Sequence, residues 1–185
     1  MLPVLCLLTS LILSTQPEWS WSVHPESGFK VLTPVPLKYE AREVPTDMDI
    51  IMFHQYHGGS VSDSLSPLAF VVDHYLLPET GVAHDADYLT EFFENTIDQL
   101  LTTIDGNMVY MDIINQPGRD VCIWKGTYDH GKGLIRGHMI LYRDRYYGLQ
   151  VFGLEKNKPD ALMSKFLESF KLADGTGPGN CLPLS

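Results

Sequence analysis

Residues Tyr146 to Leu172 constrain the fold more than any other stretch. An aromatic-rich alternating run, YYGLQVFGL, is followed by the break Glu155 to Pro159 and then by a short apolar-striped segment, DALMSKFLESF. Alternation with period two marks a strand with two different faces, and Pro is tolerated in the first turn of a helix, so Pro159-Asp160 marks a helix start. Leu162, Met163, Phe166, Leu167 and Phe170 recur at helical spacing and form the buried stripe. A strand that returns directly into a helix of this kind needs a sheet for the helix to cover.

The rest of the chain supplies that sheet. Gly28 to Thr33, Leu37 to Val44, Asp49 to His57 and Leu68 to Leu77 read as four strands separated by Pro- and Gly-marked breaks. From Asp85 the period changes. Tyr88, Leu89, Phe92, Phe93, Thr96, Ile97, Leu100, Leu101 and Ile104 recur in pairs every four residues, with Glu91, Glu94 and Asp98 on the other side. Asp85 or Asp87 is suited to cap this helix, and Asp105-Gly106 ends it, with Gly expected at the left-handed position.

Asn107 to Asn115, Asp120 to Tyr128, Leu134 to Tyr142 and Tyr146 to Leu154 then follow as four strands in hairpin succession. The first of these turns is Gln116-Pro117-Gly118-Arg119, where Pro presets one central residue and Gly supplies a positive φ at the next. The order is four strands, helix, four strands, helix, without βαβ alternation. It predicts an α+β domain, an antiparallel β-sheet of about eight strands covered by two main helices.

The N-terminus stands apart. Leu2 to Leu13 is nearly all apolar, too short to cross a bilayer as a helix and of the length of an export signal's apolar core. Ser20 and Ser22 bracket Trp21, so the expected boundaries are a signal peptide over residues 1–22, one α+β domain over residues 23–173 and a flexible Gly- and Pro-rich tail over residues 174–185. This predicts a secreted or periplasmic protein that does not span the membrane after cleavage. Leu5 precedes Cys6, where lipid modification requires a small residue. Cleavage leaves Cys122 and Cys181, which either pair or remain free. The net charge of −10, with 13 scattered basic residues, argues against a nucleic-acid partner.

The pieces Gly28-Phe29-Lys30-Val31-Leu32-Thr33-Pro34, the helix Tyr88 to Ile104, the turn Pro117-Gly118-Arg119, the strand Tyr146 to Val151 and Phe166-Leu167-Glu168-Ser169-Phe170 occur here in one order. That order resembles a family of exported bacterial domains of uncharacterised role, and its layout is similar to the PsbP-like fold, which photosystem extrinsic subunits share with a Ran-binding factor. The resemblance implies a non-catalytic, accessory role, and it transfers no binding residue to this chain.

Residues able to carry chemistry are few. His54 and His74 are the metal candidates, because imidazole suits zinc, copper or nickel and the two can meet across a hairpin, with Asp49 or Asp73 nearby. His57, three residues from His54 along a strand, points to the other face. Surface or cross-strand histidines are the simpler account of all three. Cys122 with His130 or His138 has the composition of a thiol nucleophile, but its strand context favours an inert thiol. No nucleophile elbow, phosphate loop or cofactor motif occurs. The strand aromatics Tyr75, Tyr110, Trp124, Tyr128, Tyr142, Tyr146, Tyr147 and Phe152 fit core packing, or a groove if one sheet face is open. Trp124, Tyr128 and Arg119 are the candidates for binding.

The function expected from the sequence is therefore an exported, non-catalytic binding or accessory domain that engages a protein partner in the cell envelope. The alternatives are a lipocalin-like carrier of small ligands and a metal-dependent or thiol hydrolase.

Overall fold

The computed structural model describes residues 18–46, 50–60, 67–77, 85–173 and 181–183. The apolar N-terminal run, Asp49 and most of the expected tail lie outside the described residues. The elements run β1 (Ser20–His24), β2 (Phe29–Thr33), β3 (Lys38–Pro45), β4 (Ile50–Ser60), β5 (Leu68–Leu76), α1 (Ala86–Thr103), β6 (Asn107–Gln116), β7 (Arg119–Tyr128), β8 (Gly133–Tyr142), β9 (Arg145–Leu154), α2 (Asp160–Ser169), β10 (Lys171–Ala173) and β11 (Cys181–Pro183).

All eight expected strands and both helices are present, but the strands do not form one sheet. β3-β4-β5-β9-β8-β7-β6 make a seven-stranded sheet, while β1-β2-β10-β11 make a second one of four strands. The expectation of a single sheet of about eight strands is corrected here. Its physical reason is β2: the burial of β2 alternates strictly, with Phe29, Val31 and Thr33 inside, and β2 pairs with β1 and β10 instead of β3. The large sheet is open, with β3 and β6 as its edges, so it is not the closed barrel of a lipocalin-type carrier. β1 begins at Ser20, so a cut after Ser22 would divide it. Cys181–Pro183, read from sequence as loose tail, lies antiparallel to β10.

Two cores fill the two faces of the large sheet. On one face, Phe70 and Val72 of β5 and Tyr147, Leu149 and Val151 of β9 meet Phe29 and Val31 of β2 and Met163, Phe166 and Leu167 of α2. On the other face, Leu89, Phe93, Ile97 and Leu101 of α1 pack on Cys122 and Trp124 of β7, Ile135, Met139 and Leu141 of β8 and Tyr146 of β9. Strand alternation divides these sets, since neighbouring residues such as Tyr146 and Tyr147 belong to opposite faces.

Asp85 caps α1 by accepting a hydrogen bond from the Tyr88 amide at 2.8 Å. At the other end the left-handed residue is Asp105, with φ 51°, and not Gly106. Gly106 is needed for space instead, because a Cβ there would lie 2.8 Å from the Thr127 carbonyl and 2.9 Å from Leu101. The Pro117-Gly118 turn is as expected, with Gly118 at φ 77°.

Candidate functional site

Helix α1 packs on β6 and β7, at one end of the seven-stranded sheet. No described element covers the same face over β4 and β5. Phe53, Gln55 and His57 of β4 and Val71, Asp73 and Tyr75 of β5 are half-buried there. A row of rings crosses this region from the helix to the edge. Phe92 meets Tyr146 edge-on at 6.0 Å, Tyr146 stacks on Tyr75 at 4.7 Å, Tyr75 lies 6.2 Å from Phe53, and the Arg42 guanidinium lies 5.2 Å from the Phe53 centroid.

Asp73 lies beside this row. Its register partner on β9 is Gly148 and its neighbour on β4 is Gln55. The Gln55 amide donates to its carboxylate at 2.8 Å, and the Gln150 side chain, two residues along β9 from Gly148 and on the same face, favours its charged form. Gly148 makes the arrangement possible. A Cβ at that position would lie 2.6 Å from the Tyr146 hydroxyl and 3.0 Å from the Gln150 amide nitrogen, so both polar groups occupy the space a side chain would take. Burial pushes the Asp73 carboxyl up to about 6, against the two glutamine amides and Arg42, which favour the charged form. Burial also raises Tyr75 and Tyr146 above the usual phenol range, so both remain neutral hydrogen-bonding groups. A cationic group entering here would meet a carboxylate, aromatic faces and amide oxygens.

The metal candidates lie on the opposite face. His54 and His74 are register partners with rings stacked at 5.2 Å, as the hairpin spacing suggested. Tyr39 and His54 share a hydrogen bond of 2.8 Å between the hydroxyl and Nδ1, and His74 leans on Tyr147 at 5.1 Å. Burial and the nearby His54 and Arg145 hold His74 down at about 4, so it is neutral at ordinary pH. Stacked imidazoles direct their in-plane lone pairs side by side, not toward a common point. Asp73, expected as a neighbour, points away through the sheet, and no group of three metal-ligating residues occurs among the described residues. His57 faces the other side, as its spacing required, and meets Glu40 at 3.2 Å.

The binding candidates do not form one surface. Trp124 is fully buried beneath α1, an outcome of central position in β7 that its residue type did not reveal. Arg119 and Tyr128 stand at opposite ends of β7, the first bonded to Gln116 and the second donating to the Gly153 carbonyl at 3.2 Å. Cys122 is a free buried thiol whose pKa burial pushes up to about 12, the state of an inert side chain.

Sequence reasoning named Asp73 only as a companion of the histidines. Strict alternation along β5 was enough to separate Asp73 from His74. The glutamines were not visible in that way, since Gln150 comes beside Asp73 only through the β5-β9 pairing of strands far apart in the chain.

No protein-family model and no curated protein sequence matches the chain. Among solved structures, the solution structure of cyanobacterial PsbP (CyanoP) from Synechocystis sp. PCC 6803 is similar, with a TM-score of 0.57 over 89% of this chain and 98% of that one, at 10% identity. The fold is PsbP-like. At that identity the PsbP-like architecture is shared without residue roles, so the Asp73 site rests on its own geometry.

Proposed function

We propose that this chain is an exported, non-catalytic binding domain that engages a protein partner in the cell envelope through the uncovered half of its seven-stranded sheet. Asp73 carries the reading: a carboxyl held by the Gln55 amide with Gln150 close by, next to the half-buried rings of Tyr75 and Phe53, on the part of the sheet beyond the buried Tyr146 where the cover of α1 ends. A rigid polar anchor beside half-exposed aromatic rings has the anatomy of a recognition patch. No described nucleophile adjoins it, which favours binding over turnover. The apolar run Leu2 to Leu13 supports export, to a secreted or periplasmic location. The PsbP-like fold is consistent with an accessory role.

The test is site-specific photocrosslinking in cells of the source organism. A photoreactive residue at Gln55 is expected to trap one protein repeatedly, and one at Glu168, exposed on the outer side of α2, is not. Equal trapping from both positions, or none from Gln55, would remove the basis for this reading.

A further inference from the structure

The two edges of the seven-stranded sheet differ in chemistry. β3 reads KYEAREVP, with Lys38, Glu40, Arg42 and Glu43 and a closing Pro45, the residue types that keep an edge from pairing. β6 reads NMVYMDIINQ, in which Asp112 is the one charge. Met108, Val109, Tyr110 and Ile114 are exposed on it, Val109 to 56%.

The backbone of β6 is also available. Gln116 and Arg119 flank a two-residue turn, so they exchange both hydrogen bonds, and the pattern alternates from there along the hairpin. The backbone groups of Gln116, Ile114, Asp112 and Tyr110 therefore face β7, and those of Asn115, Ile113 and Met111 face away from the sheet. No described strand takes them. The register is regular from Tyr110 to Gln116 and shifts between Met108 and Tyr110, so residues 110–116 are the usable edge.

Charge selects what can add there. α1 lies against β6 and carries Asp87, Glu91, Glu94 and Asp98 with no Lys or Arg, and Asp112 projects from the other face. A second copy paired along β6 would bring two such helices side by side, whereas a cationic strand is attracted from both faces.

We infer that β6 is a docking edge for an extended, lysine- or arginine-bearing segment of a partner polypeptide. The segment adds as a further strand and hydrogen-bonds Met111, Ile113 and Asn115, with apolar side chains against Tyr110 and Ile114 and a cation at Asp112. The inference rests on the reading of the chain as a protein-binding domain, and gives that domain a second contact and a partner chemistry.

The probe is a fluorescent peptide in which Val and Lys take turns at every second position with Thr between them, so that one face reads Val, Lys, Val (the Val-Lys peptide), with a counterpart of equal length carrying Glu for Lys (the Val-Glu peptide), titrated against the full chain. The Val-Lys peptide is expected to bind and to weaken with salt. Asn115→Pro removes one outward N–H without touching the β7 pairing, and is expected to lose binding by about tenfold or more. Asp112→Lys, a change at an exposed side chain, gives about a tenfold loss with the backbone intact. Glu168→Gln, exposed on α2 and away from both surfaces, leaves peptide binding unchanged. Equal binding of the two peptides, no binding of either, insensitivity to both β6 variants, or self-association of the chain through β6 overturns the inference. Loss of trapping at Gln55 with peptide binding retained sinks the open-face reading alone, and the reverse pattern sinks the β6 edge alone.

Discussion

The two ends of the seven-stranded sheet solve the same problem in opposite ways. At the β6 end, α1 covers one face and the side chains beneath it are apolar and buried, with Trp124, Phe93 and Ile97 fully enclosed. At the β3 end the same face has no described cover, and the residues there are Glu40, Arg42, Gln55, His57 and Asp73 around half-buried rings. The covered end therefore contributes most of the hydrophobic stabilisation on this face, and the bare end relies on side chains that tolerate water. The edge strands reverse the pattern: the covered end has the apolar edge and the bare end the charged one.

Truncation is the strongest way to break this contrast. Trp124→Ala is expected to cost ~3–5 kcal/mol, because the indole is wholly enclosed and its removal leaves a cavity under α1. Phe53→Ala, at the bare end, is expected to cost only ~1 kcal/mol, since its ring is half-buried and contacts Tyr75 and Arg42 at its margin. Denaturant unfolding of the two variants compares them directly, and similar losses would mean that the bare end is packed as tightly as the covered one.

Acid separates the two faces next. His74 and His138 are buried on the α2 side, each with Nδ1 lacking a partner among the described residues, and burial lowers both from 6.5 to about 4. The unfolded chain binds protons at these sites before the folded one does, so their contribution is present above pH 6.5 and is lost as pH falls toward about 4, by up to ~3 kcal/mol each. Asp73 on the open side acts in the opposite sense, because its folded pKa is raised from 3.8 to about 6, so the folded state gains stability as pH falls through that window. Two histidines outweigh one carboxyl, and the net expectation is a loss of ~3 kcal/mol between pH 6.5 and pH 4. Thermal unfolding of His138→Gln across that range is expected to show almost none of the parent's net acid loss, because the remaining His74 and Asp73 nearly cancel. An unchanged profile would assign the acid sensitivity elsewhere.

The sequence made one of these ends much easier to read than the other. The stripe Leu89, Phe93, Ile97 and Leu101 and the hairpin turn at Pro117-Gly118 are local patterns, and each element they define is present. What was not legible depends on pairing between distant segments. β2 alternates as a strand of either sheet would, and its departure to join β10 is decided by contacts across nearly the whole chain. Trp124 and Tyr75 are both strand aromatics, and only the position of α1 makes one core and the other a rim of the candidate site. The Asp73 site needed β4, β5 and β9 in register, so its three polar members were visible one by one but not as a group.

Asp73 offers a smaller effect that sharpens the picture of the bare end. Asp73→Asn removes a charge that burial disfavours above pH 6, and Asn retains an oxygen for the Gln55 amide. The variant is expected to be more stable than the parent by ~1–2 kcal/mol at pH 8, with the gain vanishing near pH 4, where the parent carboxyl is already neutral. A destabilised Asn variant at pH 8 would mean that the amides and Arg42 outweigh burial, and that the carboxylate is the preferred form.

The smallest expected effect concerns the β3 edge. Replacing Lys38, Glu40, Arg42 and Glu43 together by Thr keeps strand propensity and removes the charges, and folding stability is expected to change by no more than ~0.5 kcal/mol, because these side chains are exposed. Stability is not what they serve. Without them β3 presents an open ladder like that of β6 but without the acidic surface of α1 beside it, so like copies no longer repel and edge-to-edge pairing becomes favourable. Sedimentation across a dilution series is expected to show concentration-dependent association of the Thr variant and none for the parent at this edge. If the variant stays as dispersed as the parent, Pro45 and the twist of the strand suffice to protect β3, and the charges belong to the binding face.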